Sequence, residues 1–150
     1  MPRPEGPSPE SGLEQDSRFP SGPWKGFFLQ AGFAGRQWMD LNLTFARGKL
    51  RGDGRDWVGE FLVRGRYEVE TGKCRWTKLY IGKHDIAYQG YNEGKGIWGT
   101  WEWSPLPGWR GGFRIWPVAM GDPTLERLAE EMEGPDTVEI ETLDVAFAER

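Results

Sequence analysis

Four residues whose side chains can bind or react lie close together in the middle of the chain: Lys78, Tyr80, His84 and Tyr88. Lysine supplies a positive charge, histidine titrates near neutral pH, and tyrosine carries a hydroxyl that donates and accepts hydrogen bonds. Residues two apart along a strand share one face, so Lys78 and Tyr80 face the same way, as do His84 and Tyr88. If these faces point into an apolar core, they supply the few convergent polar groups that are typical of a ligand site.

The segments that carry these residues are predicted to be strands. Residues 37–46 alternate strictly between apolar and polar side chains, which is the period of a half-buried strand. Similar runs bounded by turn residues lie at 24–30, 49–53, 58–70, 73–81, 84–91, 97–103 and 112–118. Short strands in sequence order favour a meander that closes, because closure removes the exposed edges. A two-sheet sandwich is the alternative, but it normally needs longer crossovers.

The predicted fold is therefore all-β: a single antiparallel up-and-down barrel of about eight strands, with a short C-terminal helix and an acidic tail. Alternation along the second and fourth strands gives the expected interior residues, which are Met39, Leu41, Leu43, Phe45, Phe61 and Val63. The chain divides into a Pro-rich, disordered segment at 1–20, the barrel at 21–120, and the helix and tail at 121–150.

The C-terminal helix is predicted from its boundary signals. Asp122 is a capping residue, Pro123 suits the first helical position, and Gly134 followed by Pro135 ends the pattern. The apolar stripe of this helix is expected to pack on the barrel, with one mouth as a candidate position; it consists of Leu125, Leu128, Ala129 and Met132. Residues 137–147 alternate like a strand, and the sequence leaves open whether they form an edge strand or a tail.

The ligand-binding residues expected from alternation are Lys78, Tyr80, His84, Tyr88, Trp101 and Tyr67. An anionic or aromatic small ligand suits such a pocket, with Lys78 as the positive charge. The other interpretation is a filled core, in which Lys78 pairs with Asp56 or extends to a barrel mouth. The tyrosine hydroxyls then only form hydrogen bonds within the protein and bind no ligand. Eight-stranded barrels are often just wide enough to be filled by side chains, so both interpretations stay open at this stage.

Two stretches resemble a known sequence pattern. The first runs from Gly52 to Tyr67 and the second from Trp76 to Trp101. They resemble a recurrent, functionally uncharacterised domain patterned G-x-G-x-D-x-x-G-x-F and K-x-Y-x-G-x-H-x-V-x-Y-x-G, with Ile86 where the second pattern has Val. In addition, Gly22-Pro23-Trp24 is similar to the G-x-W start of calycins, the lipocalin and avidin group. This resemblance implies an eight-stranded cup able to hold a small apolar ligand, with Trp24 closing one end and Arg114 as the candidate basic residue across it.

Charge is divided unevenly along the chain. Residues 21–120 contain 15 Lys and Arg against 9 Asp and Glu, hence +6, whereas residues 121–150 contain 2 against 10, hence −8. A basic, Trp-rich β-domain is suited to single-stranded nucleic acid, which it binds by stacking and phosphate contacts. An acidic tail would compete for the same surface. A single-stranded nucleic-acid-binding domain masked by its tail is therefore the alternative function, although solubility is the simpler explanation of the tail.

Signals of an enzyme are few. The chain has one histidine, no His/Cys cluster with metal-ligand spacing and no phosphate-binding motif, so neither a metal nor another cofactor is predicted. Acid–base chemistry by His84 with Tyr88 or Lys78 is the third hypothesis. The leading hypothesis is a non-enzymatic binding module that holds a small ligand or a protein partner.

The expected location is cytoplasmic, without a membrane partner. Cys74 is the only cysteine, which suits a reducing compartment, and a lone cysteine within a strand is usually a small core residue. No apolar run approaches the ~18 residues that span a bilayer, and residues 1–20 lack the order of a signal peptide.

Overall fold

Eight antiparallel strands form a closed barrel in the computed structural model, which describes residues 12–103 and 109–125. The strands are β1 (Gly22–Phe28), β2 (Gln37–Ala46), β3 (Lys49–Asp56), β4 (Gly59–Tyr67), β5 (Lys73–Tyr80), β6 (Asp85–Asn92), β7 (Ile97–Glu102) and β8 (Arg110–Pro117). Each strand pairs with the next, and β8 pairs with β1 to close the circle, with Trp24 opposite Pro117. The predicted fold class is confirmed, and the sandwich alternative is wrong.

Strict alternation puts one apolar set inside the barrel. The burial of β2 follows its sequence pattern residue by residue. All six residues expected in the interior are buried: Met39, Leu41, Leu43, Phe45, Phe61 and Val63. Gly65 faces inward opposite Trp76, where a Cβ would collide with the Arg75 carbonyl oxygen and with Trp76 Cα, so the absence of a side chain lets β4 and β5 approach closely.

Several predicted strand ends were wrong by one or two residues, and two were wrong by three. β3 continues to Asp56 rather than stopping at residue 53, since glycines at 52 and 54 still pair across the ladder. β4 ends at Tyr67 rather than at residue 70, because residues 68–72 form a turn in which the Gly72 amide donates to the Glu68 carbonyl. Gly72 takes a φ of 78°, a left-handed conformation that glycine adopts without steric cost.

One barrel end is closed by residues 12–20, called the N-terminal plug below. Phe19 is fully buried, with its ring 5.4 Å from Phe45 and 4.8 Å from Tyr67. Arg18 donates to the carbonyl oxygens of Val69 (2.6 Å) and Asn92 (3.4 Å), so the plug ties together two hairpin ends. We predicted residues 12–20 as part of a disordered lead-in, and the structure instead places them against the barrel; residues 1–11 lie outside the described part.

The calycin resemblance implied a basic residue across Trp24. Trp24 is buried at the plug end, where its indole N–H donates to the Pro20 carbonyl (2.9 Å). The expectation for Arg114 is wrong, because Phe113 and Ile115 point inward and Arg114 therefore faces the outer wall, opposite Phe27 and Trp98.

After β8 the chain forms a short helical segment on the outer wall of the barrel. A 3-10 helix, Val118–Met120, contacts β1, and helical residues 123–125 follow. Asp122 caps this turn as predicted, since its carboxylate accepts from the Thr124 amide (2.8 Å). The expected burial of Leu125 is wrong: this side chain is 60% exposed, while its neighbour Thr124 packs inward and bonds Arg36. Leu128, Ala129, Met132 and residues 137–147 lie outside the described residues.

Candidate functional sites

A buried polar network lies inside the barrel, at the end opposite the plug. The β5 residues Lys78 and Tyr80 face inward, and register brings Tyr88 of β6 and the last residue of β3, Asp56, beside them. Lys78 Nζ donates to Asp56 Oδ2 (2.6 Å) and to the Tyr88 hydroxyl (3.2 Å), and the Tyr80 hydroxyl donates to the same Asp56 oxygen (2.6 Å). Asp56 Oδ1 accepts from the Val58 amide (2.9 Å) and so also shapes the β3–β4 turn.

Aromatic rings enclose the Lys78 ammonium. Its Nζ lies 4.4 Å from the centroid of Phe61, 4.7 Å from Phe28, 5.0 Å from Tyr80 and 5.3 Å from Tyr88. Ring faces attract cations within about 6 Å, and this attraction grows as water is removed. Lys78 is only 1% exposed, so this aromatic cage is filled by the chain's own ammonium.

Burial sets the protonation behaviour of this network. Desolvation lowers the pKa of Lys78, and the nearby Asp56 carboxylate opposes that shift. Desolvation raises the pKa of Tyr80, and the hydrogen bond to Asp56 raises it further. The pKa of Tyr88 is also raised by burial. Both tyrosines therefore keep their protons at physiological pH, with the Tyr80 hydroxyl donating to Asp56 and the Tyr88 hydroxyl accepting from Lys78.

Of the other predicted ligand-binding residues, His84 touches this network through Tyr80, whereas Trp101 and Tyr67 hydrogen-bond elsewhere. The His84 ring contacts Tyr80 (5.3 Å) and Trp103 (4.9 Å) in the β5–β6 turn. The Trp101 indole donates to the Leu29 carbonyl (3.0 Å). Tyr67 lies at the plug end, where its hydroxyl donates to Glu14 (2.6 Å) and burial raises its pKa to about 12.

Lys78 thus has the carboxylate partner that the filled-core interpretation proposed. Its charge is compensated within the barrel, and the neighbouring interior positions hold stacked or edge-on rings, including Trp76, Tyr88 and Phe113. Cys74 is likewise a core residue: its side chain is fully buried, and burial raises the pKa of the thiol to about 12.

A second candidate site lies on the outer wall; the sequence predicted a positively charged barrel but not which residues form this face. Six exposed cations occupy outward positions of β3, β4 and β5; this basic face consists of Lys49, Arg51, Arg64, Arg66, Lys73 and Arg75. The register sets Arg66 directly opposite both Lys49 and Arg75, and Arg51 directly opposite Arg64. Among the residues that the structure describes, none forms an ion pair with any of the six.

The wall beside the basic face is indented by a groove of about 410 Å³. Small outward side chains leave this space, since Thr77 lies directly opposite Ala87, and Thr100 lies opposite Gln89 on the next strand pair. Longer polar and charged side chains surround it, namely Arg64, Arg66, Arg75, Gln89 and Glu102. The groove therefore joins cations to hydrogen-bonding groups on one surface.

Within residues 12–103 and 109–125, no three His, Cys, Asp or Glu side chains lie close enough together to hold a metal ion. No helix in that part of the chain has the length and apolar character to cross a membrane. Comparisons with protein-family models, curated proteins and solved structures found no match to this chain. What the architecture defines is a small, closed, eight-stranded antiparallel β-barrel, a fold consistent with a binding module.

Proposed function

We propose that this chain is a non-enzymatic binding module whose basic face binds a polyanion. The observation that carries the proposal is the register of β3, β4 and β5, which places five of the six cations directly opposite a like charge. Side chains directly opposite in an antiparallel pair have Cβ atoms about 4.5–5.5 Å apart, and like charges in such positions are destabilising. A row of phosphates or sulfates offsets that repulsion and gains charge-assisted hydrogen bonds.

The acidic sequence beyond residue 125 supports a regulated form of this binding. It contains 9 Asp and Glu against 2 Arg, so its charge is opposite to that of the basic face. A tethered acidic segment competes with any external polyanion at a high effective concentration. Assays therefore need both the natural full-length chain and a full-length variant in which every Asp and Glu beyond residue 125 is Asn or Gln.

Heparin binding by the tail-neutralised chain is expected to depend on the basic face. Arg66→Ser and Arg75→Ser should each weaken binding about tenfold, the value of one lost charge-assisted hydrogen bond. Each should also reduce the slope of log affinity against log salt by about one. Isothermal titration at several salt concentrations measures both quantities.

The matched control for these variants is Arg55→Ser. Arg55 is also exposed on β3 but already pairs with Glu60 of β4 (3.2 Å), and its loss removes the same formal charge. We expect this variant to bind heparin like the parent chain. Equal loss of affinity in all three variants means that net charge alone drives binding and contradicts a specific basic face; absence of binding to both full-length chains overturns the proposal outright.

A second candidate function is the calycin-like one, a small ligand held at the barrel end opposite the plug. It is favoured by one observation: the His84 ring lies between Tyr80, a member of the buried network, and the half-buried Trp103. Because Lys78 is already paired, a ligand there is expected to be neutral and aromatic rather than anionic.

A thermal-shift screen of neutral aromatic compounds tests this second candidate. For any compound that binds, His84→Ala should weaken affinity up to about tenfold through loss of a ring contact. Trp98→Ala, which changes the outer wall, serves as the control and should leave that affinity unchanged. A screen without binders, or a binder insensitive to His84→Ala, counts against the calycin-like function.

A further inference from the structure

We infer that the polyanion is single-stranded nucleic acid, held by its phosphates on the basic face and by its bases on Tyr91 and Trp98. This inference rests on the proposed function and deepens it. The supporting feature is a continuous outer surface on which two exposed aromatic rings adjoin the cations. Phosphate contacts and aromatic stacking together form the usual mode by which proteins bind single strands.

The barrel register makes the two rings direct neighbours of each other and of the cations. Lys73 of β5 lies opposite Tyr91 of β6, and Tyr91 lies opposite Trp98 of β7. Arg75 follows Lys73 by two residues on the same face, so it is a diagonal neighbour of Tyr91, within about 7–8 Å. Lys73, Tyr91 and Trp98 therefore form one row across three adjacent strands, with the cation at one end and the two rings beside it.

Tyr91 and Trp98 present ring surface to solvent. Tyr91 is 45% exposed and Trp98 is 41% exposed, although most aromatic residues of this barrel are buried in its core. RNA-binding sheets use aromatic residues on adjacent strands in this way, so that neighbouring rings stack successive bases. The groove adds Thr77, Gln89 and Thr100, whose polar groups suit base edges and sugar hydroxyls.

A single strand suits this surface better than a duplex does. A duplex presents phosphates to the cations, but its bases are already stacked and paired, and exposing one costs a few kcal/mol. A single strand offers both phosphates and unpaired base faces. The rings are therefore expected to add affinity for single strands and none for a sulfated sugar such as heparin, which has no aromatic face.

Fluorescence anisotropy with a labelled oligothymidylate of about 16 nucleotides tests the inference, using both full-length chains. Trp98→Ala should weaken oligonucleotide binding about tenfold while leaving heparin binding unchanged. Trp98→Phe keeps a ring and should retain most of the affinity. Trp57→Ala removes an exposed indole from the opposite barrel end and is the matched control, with no expected effect.

The outcomes separate this inference from the proposed function. Suppose that heparin binding needs Arg66 and Arg75. The single-strand inference is then overturned, and the polyanion proposal still stands, if the chain binds single strands and duplex with equal affinity or if Trp98→Ala leaves oligonucleotide affinity unchanged. Binding to anionic phosphatidylserine vesicles without binding to the oligonucleotide also overturns it. Failure of heparin and oligonucleotide alike overturns both.

Discussion

Replacing Lys78 by methionine is expected to lower the free energy of unfolding by about 3–5 kcal/mol, because breaking a buried ion pair leaves an uncompensated charge. The Lys78 and Asp56 side chains are almost completely buried, and Lys78 Nζ lies 2.6 Å from Asp56 Oδ2. Methionine fills a similar volume, so the loss comes from the stranded carboxylate rather than from a cavity. Urea denaturation followed by tryptophan fluorescence gives the free energy directly.

Two further variants show whether charge is the cause. Lys25→Met removes a lysine from an exposed pair with Asp40 (3.3 Å) and should cost less than about 1 kcal/mol. The double variant Lys78→Met/Asp56→Asn keeps an acceptor for the Val58 amide but removes the buried charge, so it should be more stable than Lys78→Met alone. If Lys78→Met costs no more than Lys25→Met, the buried pair does not hold this end of the barrel together.

Phe19→Ala is expected to cost about 3–5 kcal/mol, the range measured when a buried phenylalanine is truncated. Phe19 is fully buried and contacts the rings of Phe45 and Tyr67, so alanine would leave a cavity beneath the plug. The cost should appear as a lower urea midpoint, with a smaller slope if the plug detaches before the barrel unfolds.

Phe33→Ala is the matched control for Phe19→Ala. Phe33 is exposed and packs only on Trp57 among the ring contacts of the described residues, so its truncation should cost about 1 kcal/mol or less. Equal losses in the two variants would mean that the plug contributes nothing beyond an ordinary surface contact and that residues 12–20 are dispensable for folding.

Local alternation explains why much of the barrel was predictable. The sequence predicts β2 at its observed bounds, because its inward apolar residues and outward polar residues keep a strict period of two. The same alternation predicted that Lys78, Tyr80 and Tyr88 lie in one interior region of the barrel. It failed for Phe19, since one apolar residue among Pro, Gly and charged residues has no period, and its burial depends on contacts with strands far along the chain.

The basic face shows a different limit. Each of β3, β4 and β5 carries its cations at ordinary outward positions, which in isolation indicate only a solvated face. Their significance comes from the cross-strand register that sets Arg66 between Lys49 and Arg75. Register depends on turn geometry, and an error of one residue would turn the cations of one strand to the other face of the sheet. The pattern along any one β-strand therefore does not identify this site.

Closure of the barrel by its first and last strands also constrains how the chain folds. Trp24 of β1 pairs with Pro117 of β8, so this contact joins residues near the two ends of the described chain, whereas the other strand pairs are sequence neighbours. Bringing such distant segments together carries the largest entropic cost of any pairing in the sheet. During synthesis, β1 keeps one unpaired edge until β8 has left the ribosome. The last strand of the barrel to be made thus removes the exposed edge at which chains could aggregate.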